Sequence, residues 1–214
     1  MENNAMLNIF VRKNRKEAFC FSGNRQPIRT ESEMLLVDKE EADFAFKKCK
    51  KDIMDRFLLD NGFCKYKTNG YVRLNEIGLL EYIDLQKEKY GSNTFCVNFA
   101  AMPLYFERKY VNTSLGGRLG TYISGKDVWW DYASEEIAKV SFVNVVAAID
   151  AYILPWFEEV SHESGYKEKL LMLQNKRLAE EWLNAIEDTK DKETMIKQSI
   201  EELGLPKRIQ REIV

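Results

Sequence analysis

The chain has 214 residues, of which 45% are hydrophobic and 31% are charged, enough for one globular domain with an appended segment. Its formal net charge is -2 and its acidic and basic residues are interspersed, a composition that does not favour DNA, RNA or an anionic membrane as a partner. We therefore expect neither a nucleic-acid nor a membrane partner.

The apolar runs and the N-terminus carry no signal for export or membrane insertion. No apolar run approaches the roughly 18–20 residues that a membrane span needs, and the N-terminus lacks a signal-peptide pattern. The cysteines (Cys20, Cys49, Cys64 and Cys96) form no C-x-x-C pair, which favours buried reduced thiols over a zinc or redox site. The sequence predicts a cytoplasmic protein without a metal or a cofactor.

A single histidine, His162, lies in "SHESG" between two helical patterns. A lone loop histidine is more often a cap or surface residue than a catalyst. Carboxylate and lysine chemistry stay open, so the scarcity of histidine weakens an enzyme assignment without removing it.

Residues 1–38 differ in pattern from the rest of the chain. Two apolar runs, "LNIFV" and "AFCF", flank the polar turn "RKNRKE" and predict an N-terminal extension with a β-hairpin. Met34 is an alternative natural start. The basic cluster in the turn (Arg12, Lys13, Arg15 and Lys16) is typical of a solvated surface, and it is the main argument for a nucleic-acid partner, the least favoured alternative.

Residues 39–160 read as an α+β domain. An amphipathic helix from about residue 40 ends at Asn61-Gly62, because both residue types tolerate the left-handed conformation of a helix terminus. Successive alternating segments with short connections follow, which predict an antiparallel β-meander packed on helices through one face.

Two adjacent predicted strands alternate apolar and polar residues, so their polar residues share one face of the sheet. Those polar residues are Tyr82, Asp84, Gln86 and Asn98. An outward polar face is ordinary in antiparallel sheets, and a binding site is the alternative. A regular strand would place Asp84 and Glu88 about 13–14 Å apart, too far for joint acid–base work.

The next segment, "NTSLGGRLGTYISGKDVWWDYAS", is rich in glycine and contains Arg118, Trp129 and Trp130. The glycines predict a tight turn or bulge, and the segment lacks the Lys and Ser or Thr of a phosphate-binding loop. Two adjacent tryptophans cannot face the same way in a strand. We expect one in the core and the other over a groove or against a partner.

A long helix starts at the cap Ser134 and should bend or break at Pro155. Residues 161–214 are helical by pattern and predict a C-terminal tail, either packed on the domain or serving as an oligomer or partner arm.

Several short motifs follow one another over roughly residues 44–160: "LLDNGF", "YKTNGYVRL", "IDLQKEKYG", "FCVNF", "GRLG" and "DVWW". Their order and spacing resemble those of a bacterial family of domains of unknown function, family 4304. The resemblance implies a curved antiparallel sheet against helices and no established activity. Where that family often has Ser after "LQK", this chain has Glu88, which argues against a role that needs a hydroxyl there.

Two hypotheses for the function follow. The first is a non-catalytic protein-binding module, similar in style to immunity proteins that neutralise toxins, or regulatory. The alternative is a small-ligand pocket or an enzyme on the same sheet face, with Arg118 holding an anion and the tryptophans as a lid. The candidate binding surface is the same in both: Tyr82, Asp84, Gln86, Asn98, Arg118, Trp129 and Trp130.

Overall fold

The computed structural model describes residues 39–106, 110–187 and 191–211. The predicted N-terminal hairpin, the Met34 start and the basic cluster of residues 12–16 lie outside the described residues. The described part is an antiparallel sheet with helices, which confirms the α+β prediction.

The first helical segment is interrupted by a π-helical turn. It consists of α1 (Lys39–Cys49), the π-turn Lys50–Asp55 and α2 (Arg56–Asp60). Asn61 caps α2 and Gly62 follows with φ +84°, as the Asn-Gly pair predicts. The π-turn buries Asp55 beside Met54, so that a carboxylate enters the core side of the helix.

Six antiparallel strands form one sheet, which confirms the predicted meander. The strands are β1 (Cys64–Tyr66), β2 (Gly70–Leu74), β3 (Leu79–Lys87), β4 (Thr94–Pro103), β5 (Gly116–Arg118) and β6 (Trp130–Asp131). The order is β1-β2-β3-β4-β5, and β6 pairs with the start of β4. The short helix α3 (Leu119–Ser124) separates β5 from β6.

The continuous helix Glu135–Val160 packs on one face of the sheet beside α1. It comprises α4 (Glu135–Ala148), the π-turn Ile149–Ile153 and α5 (Leu154–Val160), and Ser134 caps its N-terminus by accepting a hydrogen bond from the Ile137 amide. Aromatic rings join the two helices to β4: Phe95 stacks on Phe142 at 4.9 Å, and Phe46 contacts both rings at 5.3 Å.

Pro155 does not break this helix, which excludes one of the two predicted outcomes, a bend or a break. The residue lies in the first turn of α5, directly after the π-turn. Proline lacks an amide hydrogen and clashes with the carbonyl four residues earlier, and a π-helical turn changes the local hydrogen-bond register. The chain therefore continues as one helix through Pro155.

The helix Glu135–Val160 contradicts the expectation that no apolar segment of the chain is long enough to span a membrane. This 26-residue helix is long and apolar enough to cross a membrane by length and composition, since an 18-residue window of it has a mean hydropathy of 1.7. The core helix of a soluble protein passes the same test, and Phe142, Ile149 and Phe157 of this helix are fully buried. We assign it to the core of the fold.

The C-terminal helices cover one end of the opposite sheet face. They are α6 (Glu163–Met172), α7 (Lys176–Glu187), α8 (Lys192–Leu203) and α9 (Lys207–Arg211). The Tyr66 hydroxyl donates a hydrogen bond to the Leu203 carbonyl at 2.9 Å, and the Ser199 hydroxyl donates one to the Phe106 carbonyl. The sheet thus packs on helices through part of its second face too, where the sequence predicted only one packed face.

A buried carboxylate joins the first helical segment to the sheet. The Tyr71 hydroxyl donates a 2.6 Å hydrogen bond to Asp55, whose other oxygen pairs with the Lys65 ammonium. Asp55 is 5% exposed and Tyr71 is fully buried. Burial, and then the hydrogen bond to Asp55, raise the pKa of Tyr71, so it stays a hydrogen-bond donor at neutral pH.

Replacing Tyr71 by Phe should destabilise the protein. The change removes one of the two partners of a buried carboxylate, which costs about 1–3 kcal/mol of unfolding free energy. Urea denaturation of Tyr71→Phe measures the loss. Tyr90→Phe is the matched control, because Tyr90 is 95% exposed and its loss should stay within about 0.5 kcal/mol. Equal stability of the two variants would contradict this role of Tyr71.

Candidate binding groove

The pairing of β3 with β4 brings the predicted polar residues together. Asp84 lies opposite Asn98 in the register, and Gln86 lies opposite Cys96, one position along the same face. Tyr82 lies opposite Ala100. All four polar side chains are partly exposed, while their apolar neighbours on the other face are buried.

Asn98 holds two of the polar side chains in place. Its amide nitrogen donates a hydrogen bond to Gln86 Oε1 at 3.1 Å and a longer one to Asp84 Oδ2 at 3.5 Å. The Tyr82 hydroxyl hydrogen-bonds Asp84 from the same strand. A single amide therefore orients two acceptor oxygens toward one point of the sheet face.

These side chains line a groove of about 500 Å³ that is open to solvent. Its first wall is the β1–β2 hairpin, where the Tyr66 ring meets the Tyr82 ring edge-on at 6.3 Å. The Lys67 ammonium lies over the Tyr66 ring, 4.9 Å from the centroid. The remaining lining residues are Tyr110, Val111, Thr113, Gly117 and Arg118.

Arg118 enters the groove from β5, opposite Asn98 in the register. Its guanidinium pairs with Asp127 and stacks on the Trp129 ring at 5.3 Å. The Trp129 indole nitrogen donates a 3.1 Å hydrogen bond to the same Asp127 carboxylate. Arg118 is therefore held at the rim, with Trp129 behind it rather than in the groove lining.

The structure does not bring Trp130 or Glu88 into the groove. Trp130 pairs with Phe95 in the sheet, and its ring packs on the buried Phe95 ring at 6.1 Å, on the face that meets the helices. The Glu88 carboxylate accepts hydrogen bonds from the Tyr90 and Ser92 amides and so stabilises the β3–β4 turn. Asp84 is the carboxylate of the groove lining.

Asp84 carries a desolvated carboxylate without a cation beside it. Burial raises its pKa above the usual value, although the hydrogen bonds from Asn98 and Tyr82 lower it in part. Among the described residues no ion pair includes Asp84. The Tyr82 pKa is raised by its burial and then by the Asp84 charge, so its hydroxyl remains protonated.

Sequence reasoning missed half of the groove. Tyr66 and Lys67 belong to the hairpin "CKYKTNGYVRLN", and the pairing of Tyr66 with Gly70, and of Gly70 with Asp84, would have placed them beside Asp84. The segment Tyr110–Thr113 carries no local pattern that points to a site. Its position depends on the long connection between β4 and β5.

Two other features of the described residues bear on chemistry. No three His, Cys, Asp or Glu side chains there are grouped to hold a metal ion, and the buried residues Cys49, Cys64 and Cys96 form no disulfide. A larger cavity of about 630 Å³ lies between the β2–β3 turn and the C-terminal helices, lined partly by Tyr105, Tyr166 and Ile196. None of the predicted site residues lines it.

Replacing Asp84 by Asn should stabilise the protein at neutral pH. A raised folded-state pKa means that the folded protein binds more protons than the unfolded chain, so ionised Asp84 lowers the unfolding free energy as pH rises. We expect Asp84→Asn to gain about 0.5–2 kcal/mol at pH 7. The gain should shrink as the pH falls toward about 3.9, the pKa of Asp in the unfolded chain, and vanish about one unit below it, where Asp is protonated in both states. Thermal unfolding across pH measures it, and a destabilised variant at pH 7 would contradict the account.

Replacing Gly116 by Ala should displace β5 and with it Arg118. Gly116 has φ +151°, and an added Cβ would lie 2.0 Å from the Phe99 carbonyl oxygen. The expected cost is about 1–3 kcal/mol of unfolding free energy. Gly117→Ala is the matched control, because its Cβ would meet nothing within 4 Å. Denaturant unfolding measures the unfolding free energy of both variants. Equal values would contradict the claim that the backbone contact between Gly116 and Phe99 excludes a side chain at Gly116.

The family model described as a domain of unknown function (DUF4304) matches residues 54–159. No curated protein and no solved structure gives a significant match to the chain. The matched segment starts in the first π-turn, ends in α5, and contains the six strands and every residue that lines the groove. The motif resemblance over roughly residues 44–160 is thereby confirmed. Residues 54–159, the central segment of this chain, match the model of the DUF4304 family of domains of unknown function.

Proposed function

We propose that this chain is a non-catalytic protein-binding module of the bacterial cytoplasm, of an immunity-like or regulatory kind. The observation that carries the proposal is the open groove of about 500 Å³ on the sheet face. Its floor is a row of polar side chains that secondary structure alone does not require: Tyr82, Asp84, Gln86 and Asn98. Polar groups held together in a concavity are typical of a recognition site.

The composition of the groove supports a protein partner over a metabolite. Small-molecule pockets are mostly apolar and enclose their ligand, whereas this groove is open and its floor is polar. Its rim carries the residue types that protein interfaces favour, namely Tyr110, Arg118 and, behind Arg118, Trp129. Tyr110 is 70% exposed and available to a partner.

The carboxylate arrangement supports binding over catalysis. General acid–base chemistry commonly uses a second titratable group beside the first. Asp84 has a phenol and two amides around it, and Glu88 is engaged in the β3–β4 turn. A hydrogen-bonding floor with one carboxylate suits recognition of a polar group.

The volume of the groove favours one alternative, a small polar ligand. About 500 Å³ falls within the roughly 300–1,000 Å³ of ligand pockets. A shift in melting temperature with a metabolite, in the absence of any protein partner, would favour this alternative.

The proposal predicts that a protein captured by this chain depends on the groove. In an affinity capture from source-cell lysate, Asn98→Ala and Arg118→Ala should each weaken retention by 1 kcal/mol or more, about fivefold in Kd. Arg177→Ala is the matched control, because Arg177 is an exposed arginine on α7 with a surface ion pair to Glu181. Mass spectrometry identifies the protein, and Kd is then measured with the purified pair.

Equal capture by the groove variants and the control would remove the groove from the interface. Both groove variants are first checked by thermal unfolding, since a misfolded variant would lose binding for another reason. A captured protein whose Kd changes only in the groove variants supports the proposal.

A further inference from the structure

Building on the binding role proposed above, we infer that the groove accepts a lysine or arginine side chain of the partner. Its ammonium or guanidinium group would lie against Asp84 and Gln86, beside the Tyr66–Tyr82 ring pair. Three features of the groove support this, and a fourth, the charge of its rim, supplies a variant that tests it.

The first is the uncompensated charge of Asp84. Its carboxylate is desolvated, and its partners in the groove are neutral donors, the Asn98 amide and the Tyr82 hydroxyl. Two buried carboxylates elsewhere in the described residues have cationic partners: Asp55 of the first π-turn pairs with Lys65, and Glu81 of β3 pairs with Arg73 at 2.6 Å. A desolvated charge is most stable when it is paired and hydrogen-bonded. An incoming cation would therefore stabilise the Asp84 carboxylate by pairing with it.

The second is the number of free acceptor positions. A carboxylate accepts at about four positions, and Asn98 and Tyr82 supply two donors to Asp84. Gln86 Oε1 accepts from the same Asn98 nitrogen at 3.1 Å, so it lies close to Asp84 Oδ2. An ammonium has three donors and a guanidinium five, enough to bridge these two oxygens.

The third is the aromatic wall. Tyr66 and Tyr82 meet edge-on at 6.3 Å beside Asp84, and aromatic faces attract cations. Lys67 already occupies one such position, with its ammonium 4.9 Å from the Tyr66 centroid. The aromatic wall therefore already contacts one cation, the Lys67 ammonium of the same chain.

The fourth is the charge of the rim. Arg118 also lines the groove, but Asp127 compensates its charge. Lys67 is exposed and forms no ion pair among the described residues, so its charge competes with an incoming cation. Lys67→Asn should therefore strengthen cation binding, and Asn suits the φ of +53° at this position.

The test uses blocked pentapeptides, Gly-Gly-X-Gly-Gly with acetyl and amide ends, in which X is Lys, Arg or the uncharged isostere norleucine. Binding to the full chain is followed by the side-chain NH₂ signals of Gln86 and Asn98 in ¹H–¹⁵N spectra. We expect saturable shifts with the Lys and Arg peptides at millimolar concentration and at least about fivefold weaker binding of the norleucine peptide. Asp84→Asn should weaken the Lys peptide at least fivefold, and Lys67→Asn should strengthen it.

Equal binding of the Lys and norleucine peptides, or full binding to Asp84→Asn, would overturn the inference. Butylammonium chloride forms a further arm: binding of this free amine without binding of the Lys peptide would overturn the assignment to a protein side chain. The experiments distinguish failure of this inference from failure of the proposed protein-binding role. If Asn98→Ala and Arg118→Ala weaken the captured partner while no cation binds, the groove is the interface and its occupant is not cationic.

Discussion

The register between β3 and β4 is the constraint on which the groove depends. Asp84 lies opposite Asn98, and a shift of one residue would turn the polar row toward the helices and the buried Ile83 and Phe99 toward solvent. The stacking of Phe95 on Phe142 favours the observed register, because it needs Phe95 on the helix side. The apolar core on one face and the polar groove on the other are thus two consequences of one pairing.

The second face of the sheet is divided in a way that creates the groove. At one end, Leu80 and Met102 lie opposite each other and are buried. α8 also reaches the wall of the groove, where the Tyr66 hydroxyl donates a hydrogen bond to the Leu203 carbonyl. At the other end no described helix covers the polar row, and the hairpin, Tyr110–Thr113 and β5 surround it instead. A protein that leaves a desolvated carboxylate in such a position gives up stability there, a trade that is common at binding sites.

The alternation of apolar and polar residues was enough to predict the α+β fold, the meander and the shared face of Tyr82, Asp84, Gln86 and Asn98. Successive side chains of a strand point to opposite faces, so this information is contained in the local sequence. It did not predict the walls, since Tyr110–Thr113 and Gly117 reach the groove through a long connection and a close backbone approach at Gly116. Of the bend or break expected at Pro155, the break does not occur, and a π-turn directly precedes the proline. Trp129 and Trp130 are neighbours in the sequence, so their side chains were predicted to face opposite ways. The structure places the Trp129 ring against Arg118 and the Trp130 ring against Phe95.

The charge state of Asp84 is the central claim, and it can be measured directly. A ¹³C NMR titration of the Asp84 carboxyl in the full-length chain gives its pKa without a ligand. The account predicts a midpoint above the usual value of about 3.9, because burial outweighs the hydrogen bonds from Asn98 and Tyr82. A midpoint at or below that value would show that a cation of the chain or ready access of water already compensates the charge, which would contradict the account.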